Sequence, residues 1–553
     1  MAAKAKPLDG IFHYAAARGT FKGEVLAGLC MGFLAVCGCF MNMQLVLQYV
    51  TSDYFSSAAN VISVNGEMIA ITWFSSMLIA AVGTIVMGIV AKRPFVQVSS
   101  MSLSCVLVST LSVTSGLSYY NMLAIVFVGN VAYLAIAALP PLRRIFVDGL
   151  PHSVRTALPA AAGLLMAYVA AQLSGVFIIA SRGAVAYGTQ QMMGSGQALL
   201  SGTPRLSAYT YLSDAYHPQL LLSALACIVA LAVYLFLARK VKTTPFFASL
   251  LVGTVFFLVS TALLVGVIWR THGFSFSYLW ARLWMVGAED AMQAHLSTVF
   301  GNLQIGKVFK GGFAFNALEE AGGNAGLAIA SGALSYVFLF LYDAQSTIDA
   351  CDDLVKAEDP SDAMLPLLVN AATNMAATVL TVPPVAIGKE SVAGTRDRGR
   401  SGLAAVVAGL VMLVSAFVWV VPALFATITS YTVQFNMYGH YGKVMQLLAM
   451  CSFSVVDIVM MLCGLLMAGR AIEKGLSGTV ERAPFVATIA GTFLLSNLAL
   501  GVACGVLAHV LVNASKPARK KGVASTTLIE RVGGIQTLAL CAVLLVALVA
   551  AIA

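Results

Sequence analysis

Charge is what this chain has least of. Asp, Glu, Lys and Arg together make up 10% of 553 residues, against 59% hydrophobic. A soluble domain carries about 25% charge, so the polar surface needed to dissolve a fold of this length is missing, and the mean hydropathy of +0.89 agrees. Metal and redox motifs are missing too. The ten Cys are scattered, mostly inside apolar runs (Cys37, Cys39, Cys105, Cys227, Cys451, Cys463, Cys504), with no CxxC pair and no Cys/His cluster at metal spacing. They read as small hydrophobes in helices. The seven His (His13, His152, His217, His272, His295, His440, His509) form no HExxH or similar cluster. A membrane enzyme would need such a set or a nucleophile–base pair, so neither catalysis, nor a metal, nor a cofactor is expected. The first 25 residues hold no long apolar run followed by a small-residue cleavage site. They read as a polar lead-in and not a secretory signal. The net charge of +9 does not point to nucleic acid, because Lys and Arg sit in short loops without interleaved aromatics.

What the chain does have is apolar runs. They lie at 25–47, 69–90, 97–114, 120–140, 156–179, 219–238, 246–268, 330–349, 364–382, 385–394, 402–427, 446–468, 484–512 and 535–553. In lipid a backbone must satisfy its own hydrogen bonds, which predicts helices, and the reading is an all-α polytopic membrane protein of about 14 transmembrane segments. With the N-terminus inside, Lys92-Arg93, Arg143-Arg144, Arg239-Lys240-Lys242 and Arg396/Arg398/Arg400 all fall on the cytoplasmic side, as the positive-inside rule asks of a multi-pass protein of the cytoplasmic membrane. Alternation then fails near the C-terminus, where Lys516, Arg519, Lys520 and Lys521 land outside. Either 484–512 is a re-entrant hairpin or one span is miscounted. The chain divides into a cytoplasmic segment (1–24), a first set of spans (25–268), a long extracytoplasmic loop (269–329) and a second set (330–553). The segments 180–217 and 269–329 read as loops with short helices, and no soluble C-terminal domain is expected.

Two short spans are interrupted. The third, 97–114, follows Pro94 and contains Gln97, Ser99, Ser100, Ser102 and Ser104; the tenth contains Pro383-Pro384, Gly388, Lys389, Glu390, Ser391 and Gly394. Paired interruptions in two halves are the sequence pointer to a transporter's midplane site.

Charged residues inside spans cost about 2.5–3.5 kcal/mol on insertion scales and are functional candidates by default. Two acids qualify: Asp343, in LFLYDAQSTIDA with Gln345, Ser346 and Thr347 behind it, and Glu390, in PPVAIGKESVAG. Asp349, Asp352 and Asp353 approach the cytoplasmic end and read as solvated. A buried carboxylate is cheap when protonated, which suits a proton carrier, and when ionised its two oxygens accept paired N–H groups from a planar heterocycle. A plain helix–helix hydrogen bond is the competing role. Lys389 either pairs with Glu390, if the backbone is unwound, or snorkels to the cytoplasmic edge. Ser99 to Ser104 offer hydroxyls to a solute or pack between close helices, and Asn42 suits interhelical hydrogen bonding.

At these residues the chain resembles the nucleobase–cation symporter family of uracil and xanthine permeases, most of all its AzgA-like branch for adenine, guanine and hypoxanthine. The likeness runs through Thr20, Glu24, Ala27 and Gly28 of the lead-in, Asn42 in place of the Asn of VNP, and Pro151, Arg155, Ala157 and Gly163 of GLPHSVRTALPAAAGLLMAYVA. It continues in Tyr342-Asp343-Ala344-Gln345-Ser346-Thr347-Ile348 and in Glu390-Ser391-Val392-Ala393-Gly394 followed by Arg398-Gly399-Arg400-Ser401-Gly402-Leu403. The resemblance implies two inverted seven-span repeats, spans 1–4 and 8–11 forming a core and 5–7 and 12–14 a gate. It also implies that Asp343 and Glu390 bind substrate and proton, with Ser99, Ser100, Met101, Ser102, Gln345, Thr347, Gly388 and Asn42 around them. The likeness breaks at 98–105, where VSSMSLSC stands for APGMGLNA, and at Pro383-Pro384 and Lys389. The expected function is proton-coupled nucleobase symport by alternating access. The alternative is a permease on the same scaffold for another small planar or anionic solute. The expected partners are the solute, the proton and membrane lipid; a homodimer stays open.

Overall fold

The computed structural model describes residues 8–12, 19–54, 66–99, 103, 119–173, 177–179, 204–206, 217–240, 243–272, 301, 303, 305–313, 325–355, 364–417, 454–478, 480–495, 497–516, 520–521, 524–525 and 528–552. Apart from short two-stranded ladders these are helices: α1 (Phe21–Tyr54), α2 (Gly66–Val86, continued by a π-helical turn Met87–Ala91), α3 (Tyr119–Ala138), α4 (His152–Leu173), α5 (His217–Ala238) and α6 (Pro245–His272) in the first half. The second half supplies α7 (Ala325–Val355), α8 (Met364–Val379), α9 (Glu390–Arg396), α10 (Gly402–Ala416), α11 (Ser454–Leu476), α12 (Arg482–Leu494), α13 (Leu498–Ser515) and α14 (Ile535–Ile552). Among the described residues five helices are long and apolar enough to cross a membrane, and six shorter apolar helices accompany them. The protein is a multi-pass helical membrane protein.

The interrupted spans are where helix gives way. Pro94 and Pro383-Pro384 have no N–H to give a helix, and the chain runs extended after each. β1 (Gln97–Ser99) and β4 (Val385–Ile387) pair antiparallel, Gln97 opposite Ile387 and Ser99 opposite Val385. A second ladder joins β2 (Phe177–Ile179) to β3 (Pro204–Leu206). The end of the 156–179 run and the described part of 180–217 are therefore strands, where a span end and short helices were expected.

The 484–512 run is two helices. A turn at Leu495 separates α12 from α13, and Asn497 caps α13 by accepting the Ala499 N–H at 2.9 Å. The arms lie close because a side chain at Gly501 or Gly505 would run into Thr492 or Thr488. Two helices joined by a turn thus stand where one span was expected, and the far end of the pair returns to its start, Lys516 Nζ reaching Glu481 Oε1 at 2.6 Å.

Two close approaches tie the halves together. α4 crosses α11 at Gly163 and Gly464, each glycine's missing side chain leaving room for the other's carbonyl. Small residues at such crossings let backbones approach in lipid, where no hydrophobic force drives them together. The 156–179 run thus meets the 446–468 run, as β1 meets β4. An aromatic core of Tyr133, Tyr336 and Phe340 binds α3 to α7, with ring centroids 5.7 and 5.6 Å apart.

Candidate functional site

A strand inside a membrane exposes backbone groups that lipid cannot satisfy. Here side chains supply what the three-residue ladder leaves. The Gln97 N–H donates to Thr84 Oγ1 (2.8 Å), and the Gln97 side chain donates to the Gly83 carbonyl and Thr373 Oγ1, both at 3.1 Å. Gln97 Oε1 accepts from Asn370 Nδ2 at 3.0 Å, and Asn370 Oδ1 accepts from the Tyr133 hydroxyl at 3.2 Å. Asn374, one turn beyond Asn370 on α8, bonds both backbone groups of Val385, accepting its N–H at 2.7 Å. Ser391 Oγ accepts the Val96 N–H at 3.0 Å, and the Gly388 N–H donates to the Val96 carbonyl at 2.8 Å. Sequence reasoning missed Asn370, Asn374 and Thr84. The signal was there: two Asn at i, i+4 in an apolar helix form one polar stripe.

Three charges gather where β4 becomes α9. Lys389 Nζ sits 2.6 Å from Asp343 Oδ1 of α7, both side chains buried. Lys389 therefore pairs across to α7, neither with its neighbour Glu390 nor toward an edge, because successive helical residues point about 100° apart. Glu390 turns toward α1. A side chain at Gly38 would come within 3.1 Å of its Oε1, and one at Gly388 would collide with its Oε2. Buried and without a hydrogen-bond partner in this region are Glu390 Oε2 and Asp343 Oδ2.

The other expected site residues divide. Thr347 joins the break, its hydroxyl 3.2 Å from the Asp343 carbonyl and 3.4 Å from that of Ile387. Ser99 is buried in β1, opposite Val385 of β4. Gln345 lies two residues from Asp343, about 200° around the helix, and donates to Asp349 Oδ1 at 2.8 Å. Its Oε1 is also buried without a partner. Asn42 lies in α1 with its side chain outside the described ones, and Ser100, Met101 and Ser102 lie outside the described residues.

At the basic face the partly exposed acids are matched by cations. Asp349 takes a two-pronged contact from Arg155 of α4, at 3.2 and 3.1 Å. Asp352 faces Arg93 at 3.8 Å, and Asp353 meets Lys474 of α11. Between α9 and α10, Asp397 accepts the first N–H groups of α6, Phe246 at 3.1 Å and Phe247 at 2.6 Å, while Arg396 donates to the last carbonyl of α5, Ala238, at 2.7 Å. Burial pushes the Asp397 carboxyl up to about 7, against the pull of those N–H groups and Arg396. Glu24 of α1 accepts the N–H groups of Arg400 (2.9 Å) and Ser401 (3.2 Å) ahead of α10.

A third acid sits inside a span. Asp457, in the 446–468 run, is 6% exposed on α11; the expectation of two intramembrane acids overlooked it.

No protein-family model matches the sequence, and no curated protein matches it. Among solved structures, the transmembrane domain of a cyanobacterium bicarbonate transporter, BicA, is similar at 14% identity, covering 80% of this chain and 97% of its own, with a TM-score of 0.36. The overall structure of SLC26A9 is similar at 14% identity, covering 92% of this chain and 68% of its own, with a TM-score of 0.42. At these scores neither bears on what this chain carries.

Proposed function

We propose that the chain is a secondary transporter that carries a small, uncharged, N–H-bearing ring of nucleobase type together with a proton. The observation that carries this reading is the asymmetry at the break: Lys389 is engaged by Asp343, while Glu390 is buried beside it with Oε2 free of partners. The Lys389–Asp343 pair is neutral as a unit and holds α9 against α7. Glu390 is then the group free to take up a proton together with solute. Protonated, it still offers an O–H donor and a carbonyl acceptor to a heterocycle, and the loaded site crosses a low-dielectric path without a net charge. The break supplies unwound backbone at the level of Gly388, and α1 at Gly38 leaves the carboxylate room.

The test is uptake of labelled nucleobases into proteoliposomes, with and without an imposed pH gradient. Wild type accumulates solute with an inward proton gradient, and Glu390→Gln, which keeps shape and removes the proton, loses that dependence. Gradient-driven uptake by Glu390→Gln at the wild-type level would sink the reading.

A second reading has an observation of its own. Lys389 Nζ has three donors, and among the described residues it makes one hydrogen bond, to Asp343. Were Asp343 to take a proton, Lys389 would be released toward a small planar anion. Saturable uptake of bicarbonate, with no competition from uracil or hypoxanthine, selects this alternative.

A further inference from the structure

Asp457 has no role in the site described above, and its surroundings give it none of the usual structural ones. It lies in the first turn of α11, yet among the described residues no hydrogen bond or ion pair reaches its carboxylate. A helix-capping acid would accept a nearby backbone N–H; this one does not. Two residues before it, Val455 fills the space beside Gly253 of α6 and Ala230 of α5, so α11 is packed tightly at this level and not turned out to solvent.

Its position relates it to the break. Thirteen residues of α1 separate Cys37 from Glu24, which is fixed to Arg400 and Ser401 at the basic face. Thirteen residues of α11 separate Asp457 from Arg470, fixed at the same face to the Asp353 carbonyl at 3.1 Å. At 1.5 Å per residue both lie about 20 Å in from that face. α11 packs against α1, and the residue of α1 after Cys37, Gly38, is the one Glu390 leans on. At one depth beside α1, then, stand Glu390 of α9, its Oε2 buried without a partner, and Asp457 of α11, bonded to none of the described residues. The other titratable side chains at this depth on elements packed against α11 are Cys39 of α1, Cys227 of α5, Tyr168 of α4 and, beyond α9, the Lys389–Asp343 pair; α6 presents none among its described side chains. Among the described side chains of these elements at this depth, no cation is left to neutralise Asp457.

We propose that Asp457 is a second proton-binding carboxylate of the translocation path, contributed by α11 across α1 from Glu390. A buried carboxylate with no cation and no donor is stable when it carries a proton, whereas the amino-terminal turn of a helix favours its charged form. The two influences oppose each other, so the proton is exchangeable and not locked in place. A sodium ion would need several further oxygens around the carboxylate, and none among the described residues is bonded there. The inference rests on the transport reading for its role in coupling, but not for proton binding itself.

Difference infrared spectroscopy on the reconstituted full chain, titrated over pH, separates the two. Wild type shows protonated-carboxyl bands that disappear on raising the pH. Asp457→Asn loses one of them, Glu390→Gln loses another, and Asp457→Glu keeps a shifted band, which shows the fold intact. In proteoliposomes the proton-to-solute ratio from reversal potentials falls about twofold in Asp457→Asn. An unchanged infrared titration in Asp457→Asn overturns the proposal, as does a band that sodium displaces but potassium does not, or an unchanged ratio. An Asp457 band in a protein that moves no solute under any gradient leaves the proton site standing and removes the transport reading.

Discussion

The basic face and the middle of the bundle use the same residue types to opposite ends. At the face each acid named above is matched: Asp349 by Arg155, Asp352 by Arg93, Asp353 by Lys474, Asp397 by two helix N–H groups. In the middle, Asp343 has one oxygen bound and one free, Glu390 has a free Oε2, and Asp457 is bonded to none of the described residues. Matched charges hold elements in one arrangement. Unmatched ones are costly to keep in apolar surroundings, and a site that keeps them is poised to take up protons or ligand donors. The difference teaches that acid content alone does not mark a transport site; satisfaction does.

The comparison breaks most visibly if one cation is removed from each region. Lys389→Met strands Asp343 in the interior, and loss of one partner of a buried pair costs about 3–5 kcal/mol. Lys474→Met strands Asp353, but that lysine is 54% exposed and water takes over, so about 0–1 kcal/mol is expected. Thermal unfolding of the two variants in the same detergent measures both. Lys389→Met with Asp343→Asn should recover most of the loss, since no charge is then left unpaired. Equal shifts for the two single variants would mean that the middle is as wet as the rim.

The polar network around the ladder comes next. Gln97→Leu takes one contact each from Asn370 Nδ2, which keeps the Val385 carbonyl at 3.4 Å, from Thr373, which keeps the Val369 carbonyl at 2.8 Å, and from the Gly83 carbonyl; a buried group left fully unsatisfied costs about 1–3 kcal/mol, the upper bound for each. The expected readout is faster amide exchange at Val385 and Gly388, whose partners lie in the same network. Exchange confined to position 97 would show that the ladder holds by itself.

How much of this could be read from the sequence follows from the range of the contacts involved. Apolar runs, proline breaks and Asp343 and Glu390 are local signals, and they found most helices and both interruptions. That 97–99 and 385–387 pair as strands is a contact between residues almost three hundred positions apart, and no local pattern encodes it. The direction of Lys389 was open because a lysine beside a glutamate reads the same whether they pair or diverge; the choice depends on α7 standing opposite. The partners of the acids at 349–353 could not be read locally because Arg93, Arg155 and Lys474 are each distant in sequence. Asp457 was legible and overlooked, a lone acid in an apolar run. The turn inside 484–512 was legible too, in Asn497, which caps α13.

A smaller effect is expected where a rim acid works as a helix cap. Asp397→Ala removes the acceptor at the start of α6, and losing such a cap costs about 0.5–2 kcal/mol. Arg396 still holds the end of α5 through Ala238, so the loss should show as fraying of the first turn of α6 and not as global unfolding. Exchange at Phe246 and Phe247 measures it. No change there would mean that the two N–H groups are satisfied without Asp397.

The smallest effect concerns Glu481, ahead of α12. Its carboxylate takes Lys516 Nζ at 2.6 Å and Asn513 Nδ2 at 3.1 Å, and meets His509 Nδ1 at 2.8 Å, tying the two ends of the α12–α13 hairpin together. Partial burial raises its carboxyl, but Lys516, Asn513 and His509 outweigh that and hold it below the ordinary value. A carboxyl depressed in the folded state stabilises that state above its unfolded value and ceases to do so as pH falls through the folded one. Closure of the hairpin should therefore be complete near neutrality and weaken on acidification below about pH 4.3, the unperturbed glutamate value. The side chain is 35% exposed, so water and salt screen the interaction and the change should shrink as ionic strength rises. Amide exchange at the start of α12, followed from neutral to acid pH at two salt concentrations, reads this directly. Glu481→Gln should flatten the profile, and an acid response that survives the substitution would assign it to another group.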